Sequence, residues 1–245
     1  MLRRKSEVYK GHYIAAAPGT HKAVVDAVAA NVSQDANILD LGAYDGAMLR
    51  RLQDSGYGQL AAADLSNRLS NISLPFKQCD FNTDFATKFG DQMFDCIVAC
   101  EVIEHLDDPR HFISQCRNLL TDEGVIIIST PNIAFFEGRI KFLLKGEFWG
   151  YGAKNYRGQR HISPISIEQF AILFDECGLE LTGMVSSGSF ASPLRWVLTA
   201  PLWLPMRAVF GRHVLGESLI CVGRRKANQA ADVSSLALWG LPSGA

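Results

Sequence analysis

The chain has 245 residues, 48% hydrophobic and 20% charged, with a formal net charge of −1. That is enough for one α/β domain with a buried core, with or without a small appendage. It excludes disordered, collagen-like and coiled-coil chains, and the near-neutral balance removes the global attraction that nucleic-acid binding requires, so no nucleic-acid partner is expected. The basic start MLRRKSEVYKGHY has no apolar run behind it and does not read as a secretory signal. The longest apolar uncharged stretch, 196–206, is far short of the roughly 20 residues of a spanning helix. The cysteines are scattered without CxxC spacing and read as reduced core residues, which places the protein in the cytoplasm.

In chain order, the hydrophobic spacing predicts a helix over 20–31 and a strand over 37–41, then a helix over 47–53 and strands over 59–64, 76–80 and 94–100. A helix over 111–120 and a strand over 124–130 follow. Strands alternating with helices imply a parallel, doubly wound α/β sheet of Rossmann type. After Thr130 the rhythm breaks for a segment rich in aromatic, basic and glycine residues, and an insertion over 131–165 is expected to cover the active site. A helix over 166–177, a strand near 179–185, a second insertion over 190–215, also expected to cover the active site, and a last strand, ESLICVGRR, complete a domain of 1–226. The tail 227–245 is small and polar and is expected to be disordered.

Ligands of open parallel sheets sit beyond the carboxyl ends of the central strands. In ILDLGAYDG, Gly42 and Gly46 let the backbone approach a ligand, and Asp40 is expected to orient the loop through hydrogen bonds. Asp64, at the tip of the next strand, is placed to accept two hydrogen bonds from ribose hydroxyls. A dinucleotide site would need GxGxxG, whereas Ala43, Tyr44 and Asp45 fill the middle here and the acidic Asp45 would repel a pyrophosphate, which argues against a nicotinamide-dependent oxidoreductase. The cofactor should carry adenosine without phosphate, and S-adenosyl-L-methionine fits an acidic rim.

These motifs, with AAADLS, QCDF, FDCIVACEVIEHLDDP and NLLTDEGVIIISTPN in the same order, resemble those of class I S-adenosylmethionine-dependent methyltransferases. The resemblance implies a seven-stranded sheet with the last strand antiparallel. It gives Gly42 and Gly46 the methionine end of the cofactor, Asp64 the ribose, Asp80 and Phe81 the adenine, and Cys100 and Glu101 the neighbourhood of the sulfonium and amino group. The pattern DxGxGxG carries Tyr44 in place of a glycine, so this tyrosine must avoid positive φ or tilt the loop. Glu101, Glu104 and His105 in EVIEHLDDP are similar to positions that hold a divalent metal in some ubiquinone-biosynthesis O-methyltransferases. The plainer expectation is that Glu104 and His105 start a helix and bond locally, and no metal is assigned.

Among plausible general bases, His161, His105, His111 and Tyr156, His161 is favoured because it ends the first insertion, with His105 as the second catalytic candidate. Tyr9 or Tyr13, before the first helix, could stack over the cofactor; a helix packed on the sheet edge is the plainer alternative. PNIAFFEGRIKFLLKGEF resembles a segment of methyltransferases that accompany cell-surface polysaccharide synthesis, which implies a small or lipid-linked hydroxyl acceptor. Arg139, Lys141, Lys145, Lys154, Arg157 and Arg160 against Glu137 and Glu147 suggest that the acceptor is anionic. The stretch 194–210 joins Trp196, Trp203 and leucines to Arg195 and Arg207, which suits a peripheral contact with the inner membrane surface. A homodimer contact or a lid explains the same residues, and Pro201 and Pro205 are expected to break a surface helix there. The rival to an enzyme is a non-catalytic binding protein on the same fold.

Overall fold

A computed structural model describes residues 7–188 and 193–226. The first six residues, the start of the second insertion at 189–192 and the tail 227–245 lie outside the described residues. Two three-residue strands, β1 (Glu7–Tyr9) and β2 (His12–Ile14), form an antiparallel hairpin ahead of α1 (Thr20–Asn31). Then follow β3 (Ile38–Leu41), α2 (Ala47–Asp54), β4 (Leu60–Asp64), β5 (Phe76–Gln78) and β6 (Phe94–Cys100). A 3₁₀ turn at Ile103–His105 leads to α3 (Pro109–Leu119) and β7 (Leu120–Pro131). The first insertion holds α4 (Phe136–Lys145) and α5 (Ala153–Gln159). The chain closes with α6 (Ile167–Glu176), β8 (Leu179–Ser187), α7 (Pro193–Leu198), α8 (Ala200–Phe210) and β9 (Ser218–Arg225).

The strands run in the order β5-β4-β3-β6-β7-β9-β8, and β9 alone is antiparallel to its two neighbours. This is the seven-stranded, doubly wound sheet expected from the sequence. Chain order reverses between β3 and β6, so their loops leave on opposite faces and open a crevice at the carboxyl edge. Every residue of β3 is buried, which explains why it reads as a continuous apolar run broken only by Asp40.

Two cores cover the two faces. On one, α3 and α6 bring Phe112, Phe170 and Phe174 against β6 and β7; on the other, α1 and α2 bring Val24, Val28, Leu49 and Leu52. Helix starts follow local chemistry. Asp108 accepts from the His111 amide ahead of Pro109, and Ser166 with Gln169 forms a reciprocal capping box. The two insertions pack on each other through a third cluster of Phe135, Phe136, Trp203 and Val214. The expectation that two prolines break the helix there holds for one of them, since the stretch divides at Thr199 ahead of Pro201, and is corrected for Pro205. Pro201 lies in the first turn of α8, where no amide is needed, and Pro205 is accommodated within it.

Candidate active site

A cavity of about 1170 Å³ opens at the carboxyl edge, lined from the β3, β4 and β6 loops, the start of α1, the end of α5 and the start of β9. Asp40, Gly42, Asp64, Asp80, Phe81, Cys100, Glu101, His105 and His161 all border it. Gly46 does not; it caps α2 at φ +98°, and a Cβ there would stand 2.6 Å from Ile72 Cδ1. Gly42 has φ +80°, and a Cβ would stand 2.4 Å from Val102 Cγ2, so both backbone and space demand glycine. Gly42→Ala is expected to lower stability by about 2 kcal/mol or more, measured by urea denaturation.

Tyr44 does not avoid positive φ; it takes the strained left-handed conformation, at φ 49°. Its amide donates to Asp64 Oδ2 at 2.8 Å, and the Leu65 amide donates to Oδ1 at 2.6 Å, so the carboxylate is oriented with lone pairs left for a ligand. The β1–β2 hairpin secures the same loop, because the Tyr13 amide donates to Asp45 Oδ2 at 2.6 Å. Tyr13 borders the cavity beside Tyr44, at 6.1 Å between ring centroids. Tyr9 is corrected: its hydroxyl donates to Asp54 on α2 and Arg51 covers its ring, away from the cavity.

Asp40 is also corrected. Its Oδ2 is buried with no hydrogen-bond partner rather than tied to the loop, and burial, aided by Asp64, raises its pKa well above the ordinary range. Asp40 belongs to the cavity wall, where a nearby cation would favour its charged form. At the end of β6, Glu101 is strained at φ 56°, and the Ser129 hydroxyl donates to its Oε1 at 2.9 Å and lies 3.2 Å from Cys100 Sγ. Asp80 is exposed and accepts from the Asn82 amide, whereas Phe81 is buried against Phe85 and Phe112.

Glu104 and His105 do not start a helix as expected, since α3 begins four residues later behind its own cap. They sit in the 3₁₀ turn, where the Glu104 carbonyl accepts from the amides of Ile162 and Ser163 and so pins the end of the first insertion to the sheet. His161 thereby packs edge-on against His105, with ring centroids 4.8 Å apart. Glu104 is fully buried; its Oε2 accepts from Thr130 at 3.3 Å and its Oε1 has no partner. Burial, and then the nearby Glu101, raise its pKa well above the ordinary range. Burial, and then His105, lower His161 to about 4. One ligand atom each from Glu104, His105 and His161 lies within 4.8 Å of the others, and Glu101 is not part of that group.

Other candidates fall away. His111 faces the Thr83 carbonyl on α3, outside the cavity, and Tyr156 is exposed on α5 and does not border it. Of the six cations in the first insertion only Arg160 borders the cavity, and it is paired with Asp107 at 3.1 Å. Sequence reasoning missed His21, Glu217 and Ser218, which also line the site. The antiparallel β9 was the available signal for the last two, since such a strand must begin where its neighbours end. Burial, and then Arg51, lower His21 to about 4. Its stabilising contribution is therefore complete above pH 6.5 and is lost as pH falls toward 4, by up to about 3 kcal/mol. Denaturation at pH 7 and 4.5 should show a smaller acid loss for His21→Asn than for the parent.

A sheet of this order, with a glycine turn after β3, a carboxylate at the end of β4 and a buried acidic edge at β6, defines the cofactor crevice of a class I methyltransferase. A family model described as a methyltransferase domain matches residues 13–183, and the chain belongs to this family, in the class that uses S-adenosyl-L-methionine. It is 26% identical over 188 residues to the mitochondrial ubiquinone biosynthesis O-methyltransferase of Dictyostelium discoideum, covering 68% of this chain and 56% of that protein. The chain spans about half the length of the curated relatives it matches. Its fold is shared with a SAM dependent methyltransferase from Archaeoglobus fulgidus, at TM-score 0.55 and 15% identity over 83% of this chain and 92% of that one. It is also shared with the magnesium protoporphyrin IX methyltransferase of Synechocystis PCC 6803 with bound SAH, at TM-score 0.56 and 13% identity over 85% and 84% of the two chains. Among the described residues no helix is long and apolar enough to cross a membrane.

Proposed function

We propose that the domain carries the methyl group of S-adenosyl-L-methionine to a hydroxyl of a small or lipid-linked acceptor, such as a glycan precursor. The observation that carries this reading is the convergence of His105 and His161 over the buried Glu104 carboxyl, on the wall beside the β6 loop. The name of the Dictyostelium discoideum relative supports oxygen as the atom methylated. In this reading Asp64 receives the ribose hydroxyls, Asp80 and Phe81 border the adenine, and Gly42 and Gly46 shape the loop at the methionine end. Asp40, Cys100 and Glu101 lie beside the sulfonium and ammonium groups. A negative group on the acceptor would meet Arg160 at the cavity mouth.

In the reaction the acceptor oxygen attacks the methyl carbon, the carbon–sulfur bond breaks with its electron pair going to sulfur, and the hydroxyl proton must leave. His161 takes that proton. Its depressed pKa of about 4 keeps it neutral at pH 7, and makes it a weaker base than an exposed imidazole. One positive charge disappears at sulfur as one forms on the imidazole, so the cavity keeps its net charge in a low-dielectric setting.

A second reading is favoured by the two buried atoms without partners, Glu104 Oε1 and His161 Nδ1. With His105 they fit a divalent cation, and two imidazoles with one carboxylate suit a first-row transition metal better than magnesium. Such an ion, when bound, would acidify the acceptor hydroxyl. A rise in Tm on adding Mn²⁺ or Zn²⁺ to chelator-treated protein, absent in Glu104→Gln, would favour the cation; no rise leaves His161 as the base. The function itself is tested by incubating the protein and methyl-labelled cofactor with a cell extract. Label in an alkali-stable ether is expected. No label in any fraction, from protein that binds the cofactor, would leave the non-catalytic reading.

A further inference from the structure

The C-terminal half of α4 and the turn after it leave the body of the protein. Residues 142–148 are all exposed, Leu143 by 83% and Leu144 by 75%, and the rings of Phe142 and Phe148 stack at 4.8 Å. A helix end that leaves two leucines almost wholly exposed beside two partly exposed phenylalanines is costly in water and calls for a covering phase. The tip does not stand alone. Arg139 of α4 lies 4.0 Å over the Phe210 ring at the end of α8, so the exposed Val209 and Phe210 are its neighbours, and α7 and α8 present further exposed leucines.

Charge identifies what covers this surface. The sequence from 181 to 216 contains no Asp or Glu, and Arg207 and Arg212 are exposed in it; at the tip of α4 Lys145 is exposed, and the acidic Glu147 is paired with Lys141 at 2.9 Å. Apolar side chains projecting from a cationic setting match an acyl layer beneath anionic headgroups. Position adds a reason: Trp149 packs in the cluster beneath these helices and also borders the cavity.

We infer that the α4 tip and the outer faces of α7 and α8 dock the domain on an anionic lipid bilayer, holding the cavity mouth near the membrane surface. This extends the contact expected at 194–210 to the tip at 142–148, and the delivery of an acceptor from the membrane rests on the lipid-linked reading above.

The test is flotation with vesicles of phosphatidylcholine alone and with about 30% phosphatidylglycerol, at ~50 and ~500 mM salt. The protein is expected to float with anionic vesicles at low salt at least 10-fold more than with neutral ones. Leu143→Glu with Leu144→Glu should reduce this by about 10-fold or more, and Arg207→Gln with Arg212→Gln severalfold. Circular dichroism and cofactor affinity should stay unchanged in both variants, which separates lost docking from lost folding. No flotation of the parent at low salt overturns the inference. So does a parent that sediments as a dimer and is made monomeric by the leucine variant without ever floating, since a second copy then covers the face. Docking without methyl transfer would count against the acceptor reading, and transfer without docking against this one.

Discussion

His161→Gln is expected to lower turnover by about 100-fold or more while leaving cofactor affinity within about threefold. The glutamine keeps the size and a polar end, so the insertion still closes through the Glu104 carbonyl and the amides of Ile162 and Ser163. What is lost is a neutral nitrogen able to take the proton. The sign of the pH dependence follows from burial. A base depressed to about 4 stays unprotonated through neutral pH, so the parent's acid limb should lie well below the 6.5 of an ordinary imidazole. In the variant the deficit should shrink as pH rises and the acceptor ionises by itself. A structural histidine would change Tm and leave both the profile and the 100-fold factor unmoved. Steady-state kinetics across pH 5 to 9, with circular dichroism as control, decides between them.

Asp64→Ala is expected to weaken S-adenosylmethionine by about 30- to 150-fold, equivalent to about 2 to 3 kcal/mol. Two contributions add. The ribose hydroxyls lose charged acceptors in a desolvated cavity, and the Tyr44 and Leu65 amides lose the carboxylate that now orients them. Asp64→Asn separates the two, because an amide oxygen can still accept from one backbone N–H but carries no charge; its loss should be intermediate. Titration calorimetry reads both, and affinity unchanged in the alanine variant would remove Asp64 from the site.

The strands of the crevice were legible because a parallel sheet buried on both faces writes itself as short apolar runs, as in β3, β4 and β6. The residues proposed for the cofactor were placed by the same runs, since most of them lie at or just past a strand end and border the cavity. β7 begins at Leu120 instead of 124, because Leu120 already pairs with Phe94, and the polar TDEG segment bulges out of the ladder before Val125 pairs with Cys96. The β1–β2 hairpin escaped notice because three-residue strands carry almost no periodicity. The meeting of His161 with Glu104 and His105 was only partly readable. His161 was chosen for its place at the end of an insertion, but its packing is set by backbone bonds between segments more than fifty residues apart, which leave no local pattern. The same holds for the tip of α4, since nothing in the local pattern tells that its apolar residues are carried outward.

A crystal structure of the protein soaked with S-adenosylhomocysteine tests the central claim most directly. The account predicts density in the strand-end cavity, with both ribose hydroxyls within hydrogen-bond reach of Asp64 and the sulfur turned toward the wall formed by Glu104, His105 and His161. Density at another site, or a ligand in this cavity with its ribose away from Asp64 or its sulfur facing away from that wall, would contradict it.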